Sequence, residues 1–425
     1  MNSPLINNTW QLRFAVFAAS LAGFAIPVST ALTNISIALL ILAFFLTPAL
    51  WKELPNVLRQ PFIIACLILY AVLLIGSSYS SVGFSGAGKM LLKMREYLLV
   101  PLIFAVCLYL PVRRALLIWF AVGVLLSIVI STGLAIGGEN ALYLMKVLNQ
   151  RSGQAILQAA SGDWMAFRTH TYHNFFAMML VVGLLALNLT KAIQGNWKKL
   201  SWFIIALGLF NILILVQGRS IQFILLLIFG LFFVLWKKRQ GLIIALALII
   251  TVPPVLYFSS PNIQANIAKI QNDISEYQQG RIETSVGYRL GFYKNSLALI
   301  QENPILGHGT GSYPSEYRRL TGITEGNLAS QNPHNDYFWL GVEQGILGVI
   351  ALLGIIVATI YQARKRAPAE QWTAIVLAIS VAIIALGNSF FTDSISRTAF
   401  ILLACALLAG DSAPLGKKQQ QEASV

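Results

Sequence analysis

Three residues of this 425-residue chain have the type and placing to do chemistry: His334, Arg219 and Arg289. His334 follows Asn332-Pro333 at the mouth of a long apolar segment. Asn332 suits a helix N-cap and Pro333 the first helical position, which puts His334 in the first turn. The positive end of a helix dipole disfavours an imidazolium there, and a neutral imidazole is what a general base requires. The bland alternative is a capping or packing histidine; the mouth position, the flanking Asn335 and nearby basic residues favour chemistry. Arg219 sits in a four-residue turn, Gln217-Gly218-Arg219-Ser220. It can anchor the chain at lipid headgroups, or bind a phosphate with its planar fork better than a lysine would. Its type and place leave both readings open, and the same holds for Arg289.

The elements that must carry these residues are membrane helices. The chain is 57% hydrophobic and 11% charged, with mean hydropathy +0.71, whereas soluble domains carry about 25% charged residues. Apolar runs near the length of a bilayer crossing recur, and the alternating pattern of a β-barrel is absent. The expected fold is an all-α polytopic membrane protein of about 12 transmembrane helices. The spans are 13–29, 31–50, 61–77, 97–110, 114–136, 172–190, 200–217, 220–236, 241–258, 334–360, 372–389 and 394–410. The whole, 1–425, reads as a single integral membrane domain whose first apolar run is an uncleaved helix.

Charge orients it. Of 30 basic and 16 acidic residues, placing both termini in the cytoplasm puts 16 basic and 4 acidic ones inside, with Lys237-Lys238-Arg239 and Arg364-Lys365-Arg366 in short inner loops. The net +14 is therefore a topology signal and not a nucleic-acid footprint. This orientation leaves 259–333 as a large periplasmic loop between spans 9 and 10, 137–171 as a second periplasmic loop, and 411–425 as a cytoplasmic tail.

Within 259–333, Ile263, Ile267, Ile270, Ile274 and Tyr277 form one helical stripe. Val286, Leu290, Tyr293, Leu297 and Ile300 form another, ending at Glu302-Asn303-Pro304. Arg289 lies at the edge of the second stripe, near the lipid surface, where its guanidinium can point into a cleft. The run Gly307-His308-Gly309-Thr310-Gly311 lacks the Lys-Ser/Thr of a nucleotide loop; a flexible connector and a ligand-contacting loop are equally compatible with it. His170 and His173 have a spacing that can hold metal, but no carboxylate pattern joins them, and no metal is expected. Cys66, Cys107 and Cys405 lie in apolar runs and read as packing residues. Glu343, nine residues past His334, points to the opposite helical face and reads as a packing or lining residue. Asp393 and Arg397, four apart, are expected to pair.

In order along the chain, Arg289, Asn303-Pro304-Ile305-Leu306-Gly307-His308-Gly309, Pro333-His334-Asn335 and Glu343-Gln344-Gly345-Ile346-Leu347-Gly348 resemble the bacterial O-antigen ligase and polymerase superfamily, and within it O-antigen ligases most. The resemblance is sharpest over 285–350. It implies an inner-membrane glycosyltransferase of the C type. Such an enzyme moves a glycan from undecaprenyl pyrophosphate to a sugar hydroxyl of lipid A–core on the periplasmic face, with inversion, without metal and without a cofactor. The family's essential histidine maps onto His334 and its two arginines onto Arg219 and Arg289, with Asn335 as a further substrate-binding candidate. An O-antigen polymerase and a protein O-oligosaccharyltransferase share the donor; the short tail after Gly416 points mildly to a lipid acceptor. A secondary transporter is the reading from another class, opposed by the lack of an internal repeat and by the polar residues gathering outside the spans.

Overall fold

The computed structural model describes residues 9–152, 164–216, 219–259, 261–281, 284–323 and 332–410. The described residues are helical, with no strand among them. In order the helices are α1 (Thr9–Val28), α2 (Thr30–Phe45), α3 (Pro48–Val57), α4 (Pro61–Gly76), α5 (Gly83–Lys93), α6 (Glu96–Cys107), α7 (Leu110–Ser152), α8 (His170–Leu189), α9 (Gly195–Phe210), α10 (Arg219–Lys237), α11 (Arg239–Ser259), α12 (Pro261–Gln278), α13 (Ser285–Glu302), α14 (Tyr313–Thr321), α15 (Asp336–Ala363), α16 (Pro368–Ile384) and α17 (Ser394–Leu408).

Each apolar segment read from the sequence falls on a helix. Among the described residues, five helical stretches are long and apolar enough to cross a membrane: Trp10–Val28, Leu110–Gly138, His170–Leu189, Gly195–Leu215 and Asp336–Ala363. α2 and α3 pass together, but the chain bends by 101° between them, so the expected span 31–50 is a broken one. The apolar helices Pro61–Gly76, Ile224–Lys237, Arg239–Val255, Pro368–Ile384 and Ser394–Leu408 are shorter. The expected loop 137–171 is not all loop: α7 runs on to Ser152 past a kink at Gly138.

α17 is the axis of the bundle. Every residue from Ser396 to Ala409 is buried, so protein surrounds this helix on all sides. Near its start lies Arg397, fully buried and paired with Glu96 on α6 (Nη2–Oε2 3.0 Å, Nε–Oε2 3.1 Å). The guanidinium also donates to the carbonyls of Lys93 and Thr392. The i,i+4 spacing with Asp393 misled: Asp393 instead caps α17, its Oδ1 accepting from Ile395 N at 2.8 Å. A carboxylate at an N-cap satisfies orphan amides of the first turn, which leaves Arg397 for the acid that packing delivers.

α15 is broken inside. Gly345 has φ 61° and ψ −154°, so the carbonyls of Val342 and Glu343 and the amide of Ile346 lose their helical partners. Unpaired backbone groups inside an apolar bundle cost several kcal/mol each. Segment 304–309 supplies the partners: His308 N donates to Val342 O (2.9 Å), Gly309 N to Glu343 O (2.8 Å), and Ile346 N to Pro304 O (2.8 Å). A Cβ on Gly345 would meet Ile305 O at 2.3 Å, and one on Gly307 would meet Glu343 C at 2.5 Å. The glycine-rich run is therefore neither a flexible connector nor a free ligand loop; it is a backbone insert that completes a helix.

Arg397→Leu leaves Glu96 buried without its partner, and we expect it to lower the unfolding free energy by about 3–5 kcal/mol. Replacing Glu96 as well, in a Glu96→Leu/Arg397→Leu double variant, recovers most of that loss. Unfolding in detergent, followed by circular dichroism, measures both; equal stabilities of the single and double variants would contradict the pairing.

Candidate functional site

His334 is not in a helix. Asn335, at φ −155° and ψ 113°, is the N-cap of α15, its Oδ1 accepting from Phe338 N at 3.0 Å. The expected cap, Asn332, does another job: its Oδ1 accepts from His334 N at 2.9 Å and from Ser389 Oγ. Two asparagines compete for one cap, and the one that packs against α16 takes it, because Asn335 Nδ2 also donates to Leu386 O at 2.9 Å. His334 is thereby left between two fixed asparagines with φ +53°. A left-handed non-glycine residue costs of order 1 kcal/mol and persists only where its surroundings impose it, often at functional sites.

The next residue, Asp336, locks this corner. It is fully buried, and its carboxylate accepts from Phe390 N (2.6 Å), Phe391 N (2.7 Å), Thr392 N (3.1 Å) and Thr392 Oγ1 (2.7 Å). The start of α15 is thus clamped to the α16–α17 connection. Sequence reasoning passed over Asp336; an acid immediately after the His-Asn pair, in the first turn of an apolar helix, was the available signal.

Arg289 lies on α13, exposed, as expected from its place at the stripe's edge. The buried side of α13 is carried by Phe292, Ser296 and Leu299, whereas the expected stripe residue Leu297 is exposed. Phe292 faces the imidazole, with ring centroids 6.5 Å apart, and Arg289 is close enough for its charge to act on His334. Loss of hydration first, and the Arg289 guanidinium second, hold the imidazole pKa below its ordinary value. The neutral form therefore prevails at pH 7 for these reasons, not because of a first-turn position. Tyr293 closes the same rim, its hydroxyl donating to Leu386 O at 2.9 Å and its ring 5.0 Å from Phe338.

Arg219 is the first residue of α10; its side chain, with Gln217 and Gly218, lies outside the described residues. The approach to it is well defined. α9 ends in a π-helical turn, Asn211–Leu215, closed by Val216 N donating to Asn211 O at 3.0 Å. π-turns are rare and frequent at functional sites. This one is held by a buried polar chain: His173 Nε2 meets Asn211 Oδ1 at 2.8 Å, and Asn211 Nδ2 donates to Ser131 Oγ at 2.8 Å. Gln222 Nε2 adds a bond to Ile212 O at 3.0 Å. His173 is thus turned into the bundle as a structural link. Among the described residues no three His, Cys, Asp or Glu gather as a metal site.

The structure thus brings His334, Arg289 and Asn335 to one corner and gives Asn335 structural work at both ends of its amide. Glu343 is turned elsewhere, and the nine-residue helical offset from His334 does not apply because His334 precedes the helix; the Glu343 carboxylate accepts from Gly311 N (2.8 Å) and Tyr313 N (3.3 Å).

Residues 203–353 match the family model described as O-antigen ligase. A stretch of 141 residues is 32% identical to an uncharacterized protein of Haemophilus influenzae (strain ATCC 51907 / DSM 11121 / KW20 / Rd), covering 31% of this chain and 35% of the relative. The match therefore spans about a third of that protein's length. The matched stretch takes in Arg219, Arg289, the glycine-rich insert, His334 and the break in α15 at Gly345.

Proposed function

We propose that the protein transfers a glycan from undecaprenyl pyrophosphate to a sugar hydroxyl of lipid A–core in lipopolysaccharide biosynthesis, at the periplasmic face of a bacterial inner membrane. One observation carries this reading: within the family-matched segment, a histidine held in a strained, exposed conformation stands in the field of an arginine at the rim of a membrane helix bundle.

The chemistry follows from those groups. His334, neutral at pH 7, takes the proton of the acceptor hydroxyl as its oxygen attacks the anomeric carbon. The bond from that carbon to the pyrophosphate oxygen breaks on the opposite face, which inverts the centre. The electron pair leaves with the pyrophosphate, and Arg289 and Arg219 neutralise the growing charge from fixed positions. Proton removal by a placed base contributes about 10²–10⁴-fold. Asn335 caps α15 and bonds to Leu386 O, which fixes the backbone next to His334. Both substrates are lipid-anchored, so the membrane supplies part of the orientation. No cofactor enters this scheme.

His334→Ala is expected to remain inserted and monodisperse while losing about 10²-fold or more of the transfer rate, read with purified undecaprenyl-pyrophosphate glycan and lipid A–core; wild-type transfer by this variant removes the histidine from the mechanism. Lysine at Arg219 or Arg289 keeps the charge but loses the bidentate fork, so both Lys variants should be slow; full activity in both argues against a pyrophosphate clamp.

The pH profile gives a separate check. A base works unprotonated, so kcat/KM rises with pH through the His334 pKa, which lies below the usual value near 6.5. A neighbouring positive charge lowers that pKa, so removing it raises it. The residual activity of Arg289→Gln should therefore show its acid limb at higher pH than wild type, while Arg289→Lys keeps the limb in place. A limb that does not move with Arg289→Gln separates the two residues.

A further inference from the structure

Glu343 is fully buried in α15, two residues before the break at Gly345. Its carboxylate accepts from two backbone amides at the start of another helix, Gly311 N at 2.8 Å and Tyr313 N at 3.3 Å. Tyr313 N is an orphan donor of the first turn of α14, Gly311 N belongs to the residue just before its N-cap, and that N-cap, Ser312, makes no side-chain cap. A carboxylate at that end also meets the positive pole of the helix dipole. One side chain of the broken membrane helix therefore caps a helix outside it.

α14 in turn holds α13. Tyr313 OH meets Ser296 Oγ at 3.1 Å, and Asn295 Nδ2 donates to Tyr317 OH at 3.1 Å. The Tyr317 ring lies 5.7 Å from that of Phe292, the residue one helical turn beyond Arg289 that also faces His334. Beyond the buried face, Arg319 on α14 pairs with Glu302 at the end of α13. The base of this train is rigid. The insert that carries Gly311 is bonded to α15 on one side and, on the other, to the end of α4 through Thr310 N donating to Gly76 O at 3.1 Å and to the α4–α5 connection through Ser80 Oγ donating to Thr310 O at 2.7 Å. A Cβ on Gly309 would meet Ser80 Cα at 2.3 Å, so the two backbones pack with no room for a side chain between them.

We infer that Glu343 is a positioning residue of the transfer reaction: by capping α14 it sets the seat of α13 and so the distance between Arg289 and His334. This rests on the transfer reading above. The carboxylate's requirement is for acceptor geometry. Both oxygens are used, and a glutamine retains one acceptor in the same place while an alanine retains none. Loss of the cap frees α14, and a shift of about 1 Å in a group that acts on the transition state costs about 10²-fold without weakening ground-state binding of the lipid-linked donor.

The test uses the full-length protein in nanodiscs, with undecaprenyl-pyrophosphate glycan and lipid A–core. Glu343→Ala should stay monodisperse and show kcat reduced about 10²-fold with donor KM close to wild type, and Glu343→Gln should recover a large part of kcat. Backbone hydrogen exchange across 311–321 and 285–302 should quicken in Glu343→Ala and stay slow in His334→Ala. Wild-type kcat in Glu343→Ala overturns the inference. So does a Gln variant as slow as the Ala variant, or a loss of rate that only tracks a loss of folded protein. The exchange readout does not depend on activity. If His334→Ala transfers at the wild-type rate while exchange responds as expected, the transfer reading has failed and the cap stands; if exchange is unchanged while His334→Ala is dead, only the inference has failed.

Discussion

The break in α15 is the constraint from which much of the architecture follows. A helix that stops and restarts in an apolar bundle leaves carbonyls and amides that neither water nor lipid can satisfy. Here a second stretch of backbone is drawn in to satisfy them, and it must approach so closely that side chains are excluded at Gly345, Gly307 and Gly309. That requirement fixes where α13 ends and α14 begins. It also ties both to α4 and α15, and it turns an outer segment of several short helices into a fixed attachment of the bundle.

Electrostatics then sets the character of the corner at the start of α15. The buried ionisable side chains Arg397, Asp336 and Glu343 have structural partners: Glu96, the amides of 390–392, and the amides of Gly311 and Tyr313. His334 and Arg289 stand apart from these. Both are exposed, and the guanidinium works against protonation of the imidazole without bonding to it. A cation beside a histidine weakens folding in acid and gains nothing obvious for packing, while the strained backbone of His334 adds its own cost. In the transfer reading proposed above, those costs go with the need for a neutral base and a fixed positive charge at the substrate.

Apolar length and helical periodicity made the helices readable: the segments from 13–29 to 394–410 fall on helical stretches, with 31–50 split over α2 and α3 and 372–389 running past the end of α16. The stripe of Ile263 to Tyr277 marks α12 for the same reason. Boundaries and partners were less legible. Asn332 and Asn335 are both good caps by type, and only the packing of Asn335 on Leu386 decides between them. Asp393 and Arg397 have ideal spacing for a pair, yet a cap and a distant Glu96 claim them separately. On α13 the expected stripe gave way to Phe292, Ser296 and Leu299, because α14, which no periodicity announced, covers that side.

Sequence alone determined that this chain is an all-helical, strongly apolar protein with several helices fit to cross a membrane, and it singled out His334, Arg219 and Arg289 as candidates by type and place. Hydropathy and side-chain type are local properties, so they survive without knowledge of the fold. Tertiary structure decided that His334 sits outside its helix with a left-handed backbone, that Arg289 reaches it, that Asn335 is a cap, and that glycines and Glu343 join a broken helix to the segment beside the site. Those outcomes depend on which groups some tens or hundreds of positions away come within hydrogen-bonding distance, and no spacing along the chain records that.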